Sequence, residues 1–204
     1  MPKIVDHEAQ RRLIAEAAVE WITKHGLDTL SQRNVAAVSG RSKGNVQHYF
    51  PDKKALMFGA LRIISEHRAQ RALPDPHDPD PDNPFSVLQR SLVAALPLDR
   101  DRADEWRVRL SLYVYADRDP EMQAYLADHA ERILADGTAL VIAAQEQGRI
   151  RPGLDPRLTY RRLSAAISGI AVAALADGGA LSAEEQTAMF AEVINSISVN
   201  ADMN

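Results

Sequence analysis

Apolar positions in the first seventy residues recur with helical spacing. Leu13, Ala17 and Trp21, with Ile14, Ala18 and Ile22, fall at i, i+4 and i+8 and lay one stripe on a first helix that stops near Gly26. Ser31 suits the cap of a short second helix, Gln32 to Ser39, with Val35 and Val38 inward. Gly40 supplies a turn, Ser42 caps a third helix reaching about Tyr49, and Asp52 opens a long fourth helix to about Leu73, with Leu56, Ala60, Leu61, Ile63 and Ile64 on its buried side.

Residues 74–84, PDPHDPDPDNP, admit neither helix nor central strand, because proline removes a donor and fixes φ. Beyond this loop the pattern predicts helices from about Phe85 to Leu96, Ala103 to Ala116 and Pro120 to Gln147. A further one starts at Asp155-Pro156 and is ended by Gly178-Gly179. Ser182 and Glu185 fit a capping box, which starts a last helix running from Ala183 to about Val199. Trp106 to Tyr115 alternates apolar and polar residues like a strand. It reads as helix because Asp104 and Glu105 suit a first turn and no other segment offers a partner strand. The fold class expected is all-α, with about nine helices.

The chain has 204 residues, 46% of them hydrophobic and 25% charged, and no cysteine, which removes disulfides, thiolate metal sites and cysteine nucleophiles. Residues 1–30 lack the apolar core of a secretory leader, and the longest apolar run, Leu163 to Ala176, is 14 residues with serines inside it. A bilayer span needs about 20. A soluble, cytoplasmic protein without membrane contact is the expectation. The net charge of -4 hides a division: residues 1–73 carry 12 Lys and Arg against 7 Asp and Glu, while the remainder carries 12 against 21. All five lysines, Lys3, Lys24, Lys43, Lys53 and Lys54, lie in the first part, as expected if that end meets a polyanion.

The second and third helices with the turn between them form a helix-turn-helix layout inside this basic part. On a helical wheel, Val46, Tyr49 and Phe50 share one side of the third helix, and Gly44, Asn45, Gln47 and His48 the other. A helix-interior glycine costs about 1 kcal/mol relative to alanine, so Gly44 suggests a close approach to the backbone, such as a DNA groove wall would make. Ser31, Gln32 and Ser42 sit where free helix N-terminal amides favour phosphate, and Lys53 and Lys54 add positive charge beside them. Enzyme signatures are missing: there is no His-Glu-x-x-His, no Gly-x-Ser-x-Gly and no phosphate loop, and His7, His25, His48, His67, His77 and His129 lack metal-ligand spacing. No catalytic residue, metal or cofactor is expected. On these residues alone, a helical carrier or protein-interaction module without specific DNA binding stays open as the alternative.

The run Gly26 to Leu56, GLDTLSQRNVAAVSGRSKGNVQHYFPDKKAL, resembles the N-terminal DNA-binding domain of the TetR family of transcriptional regulators. It matches the family pattern at Gly26, Ser31, Val35-Ala36, Gly40, Ser42, Gly44, Tyr49-Phe50, Lys53 and Leu56. The His-Tyr-Phe ending is similar to the branch containing the choline-responsive betaine-synthesis repressor. Two positions depart from the pattern: Arg41 replaces a small apolar residue, and Gln47 stands where tyrosine is frequent. Arg41 is expected to lay its guanidinium on a phosphate or in solvent, and Gln47 offers an amide that can pair with adenine.

The resemblance implies a helix-turn-helix DNA-binding domain at residues 1–52 and a helical ligand-binding and dimerisation domain at 53–204. It implies that Ser31, Gln32, Arg33, Lys43, Tyr49 and Lys53 hold phosphates, that Asn45, Gln47 and His48 face base edges, and that Ser42 and Gly44 lie at the same surface. It further implies a homodimer paired through the last two helices, with Leu163, Ala166, Ile167, Ile170, Ala174, Phe190, Val193, Ile194 and Ile197 at the interface. Trp106, Leu110, Tyr113, Met122 and Tyr125 are the candidates to line a cavity for a small-molecule effector. The implied partners are a palindromic double-stranded DNA operator, that effector and a second copy. The implied mechanism is ligand-driven movement of the fourth helix, which releases a repressor from its operator.

Overall fold

The computed structural model describes residues 6–75 and 80–199; Lys3 and His77 lie outside the described residues. Among the described residues the chain forms nine α-helices and one 3-10 turn. Asp6 opens α1 (His7–His25) by accepting from the amides of Glu8 and Ala9, and Gly26, at φ 80°, ends it. The 3-10 turn Leu27–Thr29, which the sequence pattern does not announce, leads to α2 (Gln32–Ser39). Gly40 takes the left-handed conformation at φ 64° that an L side chain resists, and Ser42 caps α3 (Lys43–Tyr49). Then come α4 (Lys53–Arg71), α5 (Pro84–Val93), α6 (Arg100–Ala116), α7 (Pro120–Glu146), α8 (Pro156–Ala176) and α9 (Ala183–Asn195).

The strand-like stretch is helical throughout. Its inward face is Glu105, Trp106, Val108, Leu112 and Ala116, at helical spacing, while Val114 is 75% exposed. Helix α6 begins at Arg100, three residues before the expected start, because the Asp99 carboxylate accepts from the amide of Arg102 at 2.9 Å. Helix α9 stops at Asn195, short of the expected Val199. There the backbone leaves the helix to pair with the α7–α8 connection, Arg151 N–H to Ile197 O at 3.0 Å and Val199 N–H to Arg149 O at 3.1 Å, around an antiparallel bridge of Ile150 and Ser198.

The chain divides into two compact units. The first comprises the residues up to His67 together with Asp104–Gln123. Its core is built by Ile14, Ala15, Ala18 and Ile22 of α1, Val35 of α2, Val46 and Phe50 around α3, and Leu56, Met57, Ala60, Ile63 and Ile64 of α4. The second comprises Arg68–Ala103 and the residues from Ala124 onward, and in it α5, α8 and α9 pack on one another. Phe85, Leu88 and Leu92 of α5, Leu163, Ile167 and Ile170 of α8, and Phe190 and Ile194 of α9 are buried there.

Candidate nucleic-acid interface

The two short helices are held in a fixed relation by backbone capping and by one side chain. Ser31 accepts from the amide of Asn34 at 3.2 Å and Ser42 from that of Asn45 at 3.1 Å, so each helix starts where a hydroxyl replaces a missing backbone partner. Gln32 Nε2 donates to the carbonyl oxygens of Phe50 (2.8 Å) and Pro51 (2.7 Å), which ties the start of α2 to the end of α3. Both amide hydrogens are thereby spent on the fold. The expected phosphate role of the Gln32 side chain gives way to that of a clasp. Val46 and Phe50 are fully buried, and Gly59 of α4 makes room for the Phe50 ring: a Cβ there would lie 2.6 Å from Phe50 Cε1.

The opposite face of α3 is open. Arg41, Ser42, Lys43, Gly44, Gln47 and His48 are exposed, as is Arg33 on α2, whereas Ser31, Gln32, Asn45, Tyr49 and Lys53 are half-buried. The Tyr49 hydroxyl is 2.9 Å from His7 Nδ1, and the His48 ring stands edge-on to Tyr49 at 5.0 Å. Lys53 Nζ donates to the Asp28 carbonyl at 2.9 Å, which holds it at the rim of the surface. Asn45 Oδ1 is enclosed and has no hydrogen-bond partner. An addition to Gly44 would meet only Ser42 Oγ, at 4.0 Å, so nothing within the protein requires glycine there.

Lys54 does not join this surface. Its ammonium lies 3.0 Å from Asp119 Oδ2 and 2.6 Å from Glu121 Oε2, and these hydrogen bonds push its pKa up. The Asp119 carboxyl is held below the usual range by the Met122 amide first and by Lys54 second. Burial raises the Tyr115 hydroxyl, which donates to Asp119 at 3.3 Å.

In the first unit, Trp106 (5% exposed) and Met122 are buried and Leu110 is half-buried. Tyr113 departs from the expectation at 48% exposed, because the inward face of α6 is the one carrying Trp106 and Leu112. Tyr125 is half-buried in the second unit. Sequence reasoning missed Glu105, a buried carboxylate 2.9 Å from His67 Nδ1. Placed in a first turn it looks like a solvent-facing cap residue, but the true start at Arg100 carries it into the interior face.

The proposed pairing residues are placed differently from the expectation. Leu163, Ile167, Ile170, Ala174, Phe190, Ile194 and Ile197 are each at most 8% exposed in the single chain, so they close its own core; Ala166 and Val193 are half-buried. The face of α8 left open carries Ala165, Ser168, Gly169, Val172, Ala173 and Ala176, and α9 adds Met189. Hydrophobicity alone directs sequence reasoning to the larger side chains, which the monomer itself consumes.

Known proteins share the sequence pattern and the fold. Residues 14–60 match the family described as bacterial regulatory proteins, tetR family, and residues 84–198 match BetI-type transcriptional repressor, C-terminal. The HTH-type transcriptional regulator PksA of Bacillus subtilis (strain 168) is 29% identical over 87% of this chain and 84% of its own. Among solved structures, a TetR-family regulator from Rhodococcus sp. superposes with a TM-score of 0.81 at 22% identity, over 93% of this chain and 98% of that one. A transcriptional regulator from Saccharomonospora viridis in complex with choline gives 0.77 at 25% identity, over 94% and 98%. The chain belongs to the TetR family of transcriptional regulators, with a C-terminal part of the BetI type, and is a DNA-binding regulator of transcription.

Proposed function

We propose that the chain represses transcription from the cytoplasm as a homodimer bound to a roughly palindromic operator, and that a small-molecule effector releases it. The observation that carries this reading is the open face of α3, with Gly44 between exposed Lys43 and Gln47 and with Arg33 and Arg41 also exposed. In this reading residues 1–52, with Lys53 at their edge, meet DNA, and the rest of 53–204 senses and pairs. Lys43, Arg33, Arg41, Tyr49, Lys53 and the first amides of α2 and α3 hold phosphates, while Asn45, Gln47 and His48 read base edges. Selection of duplexes from a random pool tests it: an enriched site with two-fold symmetry is the expected result. On that site Lys43→Ala should weaken binding and reduce the salt slope by about 1.8, or about 0.9 for the one phosphate contact of each protomer. An unchanged slope would contradict the phosphate role.

Pairing is proposed through the open face of α8 rather than through the large residues buried beneath it. Ala165, Gly169, Ala173 and Ala176 let a second helix approach closely, and Val172 (47% exposed) and Met189 (43%) supply apolar area. Val172→Glu should therefore leave the protomer folded by circular dichroism yet halve its mass in sedimentation. A dimer that persists at micromolar concentration would place the interface elsewhere.

For the effector we propose a small organic cation, since the similar Saccharomonospora viridis structure is in complex with choline. Choline added to the preformed protein–duplex complex is the first probe of release.

A further inference from the structure

Asp119, in the turn between α6 and α7, serves three elements with one carboxylate. Oδ1 accepts from the Met122 amide at 2.9 Å and so starts α7. Oδ2 receives Lys54 Nζ from the first turn of α4 at 3.0 Å and the Tyr115 hydroxyl from the last turn of α6 at 3.3 Å. Asp119 is 17% and Lys54 28% exposed in their side chains, which shields the pair from salt more than a surface pair; Glu121, at 67%, holds the same ammonium at 2.6 Å from the solvent side. Lys54 is also close to the reading helix. Four residues before it stands Phe50, the fully buried end of α3, whose ring rests against Gly59 on the same α4.

We propose that Lys54 is a positioning residue for operator binding: through Asp119 it fixes the first turn of α4, and the reading helix seated on α4, to the corner where α6 meets α7. This rests on the reading that α3 enters the operator. It assigns to Lys54 the opposite of what its place in the sequence suggests, since a lysine beside Lys53 looks like a second phosphate contact. Its charge is neutralised within the protein, so its loss should change the placement of α3 rather than the number of phosphates neutralised.

The test uses the full chain and the duplex selected from the random pool, resynthesised with its half-sites moved together and apart by one and two base pairs. Affinities are measured for wild type, Lys54→Met, Lys54→Arg, Asp119→Asn and the Lys54→Met/Asp119→Asn double variant, each across a salt series. Lys54→Met and Asp119→Asn should each lose about tenfold at the preferred spacing and flatten the preference among spacings, with the salt slope unchanged. The double variant should be no worse than either single one, and Lys54→Arg should bind as wild type does. A salt slope lowered in Lys54→Met would make Lys54 a phosphate contact and overturn the proposal. A spacing profile identical to wild type, with only a lower melting temperature, would reduce the pair to a structural contact and overturn it as well. If wild type itself selects no duplex, the operator reading fails and carries this inference with it; if wild type binds and Lys54→Met matches it, this inference fails alone.

Discussion

Gly137→Ala should destabilise the chain by about 2 kcal/mol, although the same change in an ordinary helix interior gains up to about 1 kcal/mol. Gly137 lies in the middle of α7, and a Cβ there would fall 2.0 Å from Cε2, 2.1 Å from Cζ and 2.3 Å from Cδ2 of Tyr160 on α8. The Tyr160 ring is 7% exposed and its neighbour Thr159 2%, so the ring has little room to withdraw. Burial also raises the pKa of its hydroxyl, as expected for a phenol kept from water. Because helix propensity and close contact pull in opposite directions, the sign of the change is informative. Thermal unfolding should show a midpoint lowered by about 5 °C for a chain of this length. Combining Gly137→Ala with Tyr160→Leu should recover part of the loss relative to Tyr160→Leu alone, since the smaller side chain removes the obstacle. A raised midpoint in the single variant would mean that α7 and α8 do not touch at this glycine.

The helix order was legible in the sequence because most boundaries are written in local chemistry. Ser31, Ser42, Asp155-Pro156 and the Ser182/Glu185 box act within three residues of themselves, and each caps the helix expected of it. The open face of α3 was legible too, since a seven-residue helix with Val46 and Phe50 buried has one side left. What escaped was decided by partners distant in the chain. Gln32 reads as a phosphate donor until Phe50 and Pro51 claim its amide, 18 and 19 residues away. Lys54 reads the same way until Asp119 comes into range. A three-residue error at the start of α6 hid the burial of Glu105. On α8 the pattern marked the bulky face, but which face a protomer keeps for itself depends on α5 and α9, and the small face of Ala165, Gly169 and Ala173 has too little hydrophobicity to announce itself. Gly137 gave no local signal because its reason is the Tyr160 ring.

Gly44→Ala should separate stability from recognition more sharply than any change of a charged residue. In the free protein the added methyl meets only Ser42 Oγ at 4.0 Å, an ordinary contact, and Gly44 is not among the glycines with positive φ. Alanine therefore fits the helix as it stands and should raise the melting midpoint by about 1–2 °C, reflecting about 0.5 kcal/mol of regained propensity. Operator affinity should move the other way. The methyl projects on the side of α3 shared with Gln47 and His48, where the proposed groove wall leaves room for backbone alone. Forcing a methylene-sized group into a fitted interface costs about 1–3 kcal/mol at each half-site, so the two copies in the dimer should lower affinity by roughly thirtyfold or more. Since no charge is altered, the salt slope should match wild type, whereas loss of Lys43 lowers it. A stabilised variant that binds the selected duplex as tightly as wild type would show that the backbone at Gly44 stays clear of the bases. Arg33, Arg41 and Lys43 would then have to draw the duplex across the helix ends instead of along the face of α3.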